Sequence, residues 1–139
     1  MANKICRDFA QILGATVMNS DNGSAVVIRM RDIEATILGR ATNSPLALAA
    51  MFSYESADEQ GRTLNLGGTV LLPREVNPFI ESLKGNGITI TALHNHWLFE
   101  RPRLMYIYFE SIDAPLAFAE NVAEAFAIIN GRVEDEAEE

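Results

Sequence analysis

The sequence predicts a single α+β domain, a mainly antiparallel sheet with two or three helices packed on it. Three observations carry that expectation. Apolar residues recur with the 3.6-residue period of a helix near residues 4–13, 76–83 and 116–129. Between them lie segments that alternate apolar and polar residues, the period of a strand with one buried face. Two of those segments flank Asn22-Gly23, the dipeptide that two-residue hairpins favour. The chain of 139 residues has the length of one domain. At this size folding buries about 68–70% of the unfolded surface, enough for a core without metal or disulfides.

In order, Ile5, Phe9, Ile12 and Leu13 share one face of a helix over 4–13, and Gly14 suits the left-handed position past its end. Residues 15–19 and 25–30 read as a hairpin around Asp21-Asn22-Gly23. Ile33, Ala35 and Ile37 alternate with Asp32, Glu34 and Thr36, which predicts a half-buried strand over 33–38. The stretch 46–54 stays open, since Phe52 and Tyr54 favour a strand and its alanines a helix. Leu64, Leu66 and Val70 mark a strand over 63–71, in which Gly67-Gly68 signals a bulge or a close backbone approach.

Pro73 opens a first helical turn at 73–76. Pro78 lacks the N–H a helix interior needs, so the main helix is expected to restart near Asn77-Pro78 and end at Gly85 or Gly87, with Val76, Phe79, Ile80 and Leu83 inward. A strand over 88–96, a loop over 97–102 and an antiparallel partner over 103–110 follow. Asp113 is expected to cap a last helix with Pro115 in its first turn and Leu116, Ala119, Val122, Ala123, Phe126 and Ile129 facing in. The order α-β-β occurs at 4–30 and again at 74–110, which leaves a duplicated α-β-β unit open. Residues 1–133 are expected as the domain, and the acidic run 134–139 as a disordered, solvating tail.

Charge and cysteine content narrow the function. Eleven Lys and Arg stand against nineteen Asp and Glu, a net charge of −8. Duplex binding needs a basic face that releases counterions from phosphates, so nucleic acid is not an expected partner. No stretch approaches the roughly 20 apolar residues of a membrane span, and no run of signal-peptide length is present near Met1, so a membrane is not expected either. One cysteine, Cys6, excludes an internal disulfide and suits the cytoplasm. A domain this small and acidic is compatible with a homodimer.

The chemically suggestive stretch is His94-Asn95-His96. Residues i and i+2 of a strand point to one face, about 6.6 Å apart at the backbone, so two imidazoles converge and Asn95 faces away. Converging imidazoles are a beginning for a divalent transition-metal site, which needs a third ligand. Tyr106, Tyr108 and Glu110 share one face of the following strand by the same period. If that is the histidine face, His94, His96 and Glu110 make a two-His, one-carboxylate set. The competing reading is a pair of hydrogen-bonded histidines at a strand end near Trp97 and Phe99. Arg103, after Arg101-Pro102, offers a guanidinium fork for a carboxylate or phosphate, or pairs with Glu100 at the surface. Glu75 in a first helical turn suits the helix dipole without further purpose. Ser44 and Cys6 carry no nucleophile signature. The spelling His-Asn-His does not make a nuclease, because basic surroundings are missing.

Glu75-Val76-Asn77-Pro78, then the run from Gly87 to His96, then Pro102-Arg103-Leu104-Met105-Tyr106 resemble the LppY/LpqO family, a bacterial domain of unknown function. The likeness is specific over about 40 residues and looser over 10–130. It implies one compact domain with His94, Asn95, His96, Arg103 and Glu75 at motif positions, and no established activity. The family pattern places a histidine where this chain has Tyr108, in some members another at Glu110, and an acidic residue at Gly68. With no signal-length run or lipid-attachment cysteine read in the sequence, the chain is expected to differ from the lipoprotein members of that family.

Three functions are therefore weighed. The first is binding of a small polar or anionic ligand, with or without a metal, at His94, Asn95, His96, Arg103, Tyr106, Tyr108 and Glu75. The second is a metal-dependent hydrolase or oxygenase using His94, His96 and a carboxylate. The third is a protein–protein module that displays Trp97-Leu98-Phe99.

Overall fold

The computed structural model describes the backbone of residues 3–138 and the side chains of residues 3–130. Helix α1 (Lys4–Leu13) starts where the Asn3 side chain accepts the Cys6 N–H at 2.9 Å. It stops at Gly14, whose φ of 63° lets its N–H turn back onto the last carbonyls. The hairpin β1 (Thr16–Asp21) and β2 (Ser24–Met30) turns at Asn22-Gly23 as predicted. The chain then leaves the sheet for β3 (Ala35–Ile37), β4 (Arg40–Thr42) and the single turn α2 (Pro45–Leu48). It returns as β5 (Ala49–Glu55) and β6 (Thr63–Leu71). A 3₁₀ turn (Pro73–Glu75) leads into α3 (Val76–Gly85) and β7 (Thr89–His94). The last elements are β8 (Glu100–Arg101), β9 (Met105–Asp113) and α4 (Pro115–Glu138).

The main sheet has six strands in the order β1-β2-β5-β6-β9-β7, every neighbour antiparallel. A small sheet, β4-β3-β8, stands apart from it. The two α-β-β passes, α1-β1-β2 and α3-β7-β9, lie at opposite edges of the main sheet, each with its first strand outermost. The fold is thus the α+β domain expected, with three long helices on one face. No helix among the described residues is long and apolar enough to cross a membrane.

Several local expectations are corrected. The ambiguous stretch 46–54 holds both elements: Ser44 caps α2 and Pro45 opens it, and the strand begins at Ala49. The strand expected over 33–38 shortens to Ala35–Ile37, and the loop expected over 97–102 contains β8, because these segments pair with each other and not with the main sheet. Asp113 ends β9 and does not cap α4; its carboxylate accepts the adjacent Ala114 N–H, at 2.8 Å. By contrast, the first turn near 73–76 and the helix restarting close to Pro78 and ending at Gly85 are found as expected; Pro78 sits in the first turn of α3, where N–H groups lack intrahelical partners. The acidic run 134–139 lies outside the residues whose side chains are described.

The helices bury an aromatic core against one sheet face. Phe9, Phe52, Phe79, Phe109, Phe118 and Phe126 are all buried, six of the seven phenylalanines. Phe126 of α4 meets Phe52 and Phe79 edge-on at 6.0 and 5.1 Å. Such pairs contribute about 0.5–1.5 kcal/mol each beyond area burial. In α4, Phe118 and Ala125 join the buried stripe, while Leu116 and Ala123 are only half-buried.

The opposite face of the sheet is covered at one end only. A second cluster packs there, in which Ala47 and Leu48 of α2, Ala35 of β3 and Leu104 meet Val70 and Tyr106 of the main sheet. Beyond this cap the strand register lays out open rows of side chains. One row is Ala92, Tyr108, Gly68, Met51, Ile28 and Thr16; the next is Glu110, Leu66, Ser53, Val26 and Asn19.

Candidate functional site

The site begins with a bulge. Ile90 pairs with Phe109 on the helix-covered face, so strict alternation along β7 would turn His94 toward the helices as well. The register slips between Ile90 and Ala92, and the extra residue re-aims Ala92 and His94 to the open face. His94 pairs with Tyr106, and Ala92 with Tyr108. His96 lies past the strand end, yet its ring returns to within 4.5 Å of the His94 ring, nearly perpendicular to it. The same ring is 4.5 Å from Tyr106, and His94 stacks 5.8 Å from Tyr108. Four of the residues singled out in the sequence therefore form one ring cluster.

Tyr106 ties the cluster to its surroundings. Its hydroxyl accepts the Trp97 indole N–H at 2.6 Å and donates to the Ala47 carbonyl at 2.8 Å. The relay fastens the histidine loop and α2 to the same phenol. Burial pushes the Tyr106 phenol above its ordinary range; the Trp97 bond opposes this, and the charges of Glu100 and Tyr108 add to it. Tyr106 is thus a neutral strut at physiological pH, able to donate and accept at once.

Beside the cluster lies a cavity of about 390 Å³. Its floor is the backbone of Gly67-Gly68; Val26, Met51 and Leu66 form one side, Pro45 and Leu46 of α2 an end, and His96, Tyr106 and Tyr108 the polar side. The two glycines are a close backbone approach and not a bulge, since the β6–β9 register runs unbroken. A Cβ on Gly67 would collide with the Phe109 ring, and one on Gly68 would stand 2.6 Å from the Tyr108 ring. Each glycine lets the aromatic residue paired with it lie flat across the strand.

The remaining predicted residues stand apart. Glu75 is buried in a bidentate pair with Arg31, at 2.6 and 3.0 Å, and also accepts the Leu72 N–H at 2.8 Å. Its three acceptor bonds are spent on fixing the 3₁₀ turn to the chain after β2. Arg103 is exposed, and its Nε lies 3.8 Å from Glu100 Oε2, the surface pairing weighed from the sequence. Asn95 is exposed and donates to the Trp97 carbonyl at 3.2 Å. Glu110 has the parity the metal set required, but it pairs with Thr89 while His94 pairs with Tyr106. That register puts it four residues, about 13 Å, along the strand from the histidines. The set His94, His96 and Glu110 is not brought together, and among the described residues no three His, Cys, Asp or Glu gather to hold a metal ion.

Sequence reasoning missed Met51, Leu66, Val26, Pro45 and Leu46 as cavity walls. Gly67-Gly68 was the available signal, and its meaning depended on which aromatics lay opposite. Trp97 is half-buried against the second cluster, whereas Leu98 and Phe99 are 84% and 66% exposed.

Comparison with known families finds a match over residues 7–128 to the family described as Domain of Unknown Function (DUF1259). The chain belongs to that family. Neither the curated proteins nor the solved structures yield a match.

Proposed function

We propose that this member of the DUF1259 family binds a small molecule with an apolar body and a polar or anionic end. The body lies beside Tyr108 along Gly67, Met51 and Leu66, and the polar end meets His96 and Tyr108, with the His94 ring packed against both. The observation that supports this is the cavity itself: about 390 Å³, apolar on three sides and flanked by an imidazole and two phenols on the fourth. Ligand pockets typically span roughly 300–1,000 Å³ with mainly apolar walls and a few polar groups that orient the guest. The apolar walls narrow the polar ligand suggested by the histidines alone to an amphipathic one. Arg103 and Glu75 have no part in this reading, and a metal enzyme would lack its carboxylate, Glu110 being too far along β9.

We also read the chain as a relative of the LppY/LpqO proteins, on Ala92–His96 with Pro102-Arg103, and as cytoplasmic. A lone thiol, the fully buried Cys6, suits a reducing compartment. Calorimetry and thermal shift with benzoate, hexanoate and inorganic phosphate test the binding function. The two carboxylates should raise the melting temperature and phosphate alone should not; Met51→Trp, which fills the cavity, and His96→Ala should abolish the effect. Silence from every probe, or carboxylate binding that survives Met51→Trp, would remove the proposal.

A second reading, a protein–protein module, is favoured by the exposure of Leu98 and Phe99. Cross-linking in cells that returns identical products from the wild type and from Leu98→Ser/Phe99→Ser would dispose of it.

A further inference from the structure

The open face of the main sheet is more apolar than a solvated face needs to be. Met51, Leu66, Tyr108 and Ile112 are each exposed on it, with Met30 at its edge, and Val26, Ile28 and Leu64 lie half-covered among them. In an antiparallel sheet with one wet face, polar residues are expected at those positions. Among the described residues, α1, α3 and α4 all pack on the other face, and the cap of α2 and the small sheet covers only the Val70–Tyr106 end.

We propose that this face is the interface of a homodimer, in which each copy roofs the cavity of the other. Three features select a second copy as the occupant. The first is area. The two open rows and a shorter third one, Ile112, Leu64 and Glu55, span about 20 Å along the strands and at most about 24 Å across them, under about 500 Å² in plan. Side-chain relief and the flank of the cap add to this, approaching the roughly 800 Å² per partner of a standard interface. Within that area Met51, Leu66, Tyr108 and Ile112 supply an exposed apolar centre, with Ser53, Glu55 and Glu110 around it, the apolar core and polar rim of an interface.

The second feature is charge. Glu55 and Glu110 lie toward the uncapped end of the face, and His94 and His96 at the capped end, with Arg101 and Arg103 exposed on the nearby loop. A two-fold axis lying between the sheets and across the strands sets the acidic end of each copy against the capped end of its partner, where Arg101 and Arg103 are exposed. For a chain of net charge −8, that arrangement brings opposite charges together where simple stacking would repel. The third feature is shape. One end of the face is raised by the cap and the other is flat, so the same axis places each cap over the partner's flat end. An isologous dimer requires such self-complementarity.

The roofing of the cavity rests on the ligand-binding proposal above; the interface does not. Light scattering after size exclusion, without ligand, tests it. The wild type should run at twice the 15.3 kDa chain mass. Leu66→Glu and Ile112→Lys should each run as monomers with unchanged circular dichroism, while Phe99→Ser, off the face, stays dimeric. Glu110→Arg, an exposed substitution that folding tolerates, should lower the dimer fraction at limiting concentration. A monomeric wild type at the highest soluble concentration would overturn the interface and leave the ligand function standing. Unchanged dimer mass in Leu66→Glu, Ile112→Lys and Glu110→Arg would overturn it equally.

Discussion

Replacing Glu75 by Gln tests whether this residue holds the fold or awaits a ligand. In the structure its carboxylate takes two bonds from Arg31 and one from the Leu72 N–H, and its side chain is 1% exposed. Gln keeps the volume and an acceptor but removes the charge, so the Arg31 guanidinium, also buried, is left uncompensated. Removing one partner of a buried pair costs about 3–5 kcal/mol. For a chain of 139 residues, the unfolding entropy near 60 °C is about 0.29 kcal/mol/K, so each kcal/mol moves the melting temperature by about 3.4 °C. Glu75→Gln should therefore melt about 10–17 °C lower. The exposed pair Lys4–Asp8 has the same 2.6 Å separation, yet Lys4→Met should cost under about 1 kcal/mol, because solvent screens it. The apolar double replacement Arg31→Met/Glu75→Leu should recover most of the loss, since it removes both desolvated charges together. Calorimetry on the wild type and the three variants decides. A Glu75→Gln loss within 1 °C of the Lys4→Met loss, or a double variant as unstable as the single, would refute the assignment.

Three further outcomes follow from the same geometry. Gly67→Ala should cost about 1–3 kcal/mol or more, since its Cβ meets the buried Phe109 ring, whereas Gly68→Ala should cost less, because the half-exposed Tyr108 can swing aside; urea titration compares them. Tyr106→Phe leaves the Ala47 carbonyl and Trp97 N–H without their shared partner and should cost about 1–3 kcal/mol, with red-shifted emission from the single tryptophan. Burial raises the pKa of both Tyr54 and Tyr106 above the ordinary 10.0. Their neutral forms are favoured in the folded state, so this stability is fully present below pH 10 and lost as pH rises through the raised folded values. Stability measured against pH should thus fall on the alkaline side, and less steeply in Tyr106→Phe; an equal slope in both proteins would count against the buried phenol.

Part of this architecture is decided by neighbouring residues among themselves. The α1 stripe ends at Gly14, and the first hairpin turns at Asn22-Gly23, where Gly23 has a φ of 104° that other residues avoid. These are local preferences, felt within a turn or two of chain. The facing of the histidines was not of that kind. It depends on a single extra residue near Thr91, whose presence no period in the sequence reveals, and which turns His94 from the helix side to the open side. Register likewise set Glu110 out of reach of the histidines, although its parity was legible. Glu75 found its partner 44 residues away in Arg31, and Gly67-Gly68 acquired their meaning only opposite Phe109 and Tyr108. A strand carries its face in its own alternation, but which residue stands across from it is settled by the packing of the whole sheet. The fold class was therefore readable from the chain, and the cavity was made by the tertiary structure.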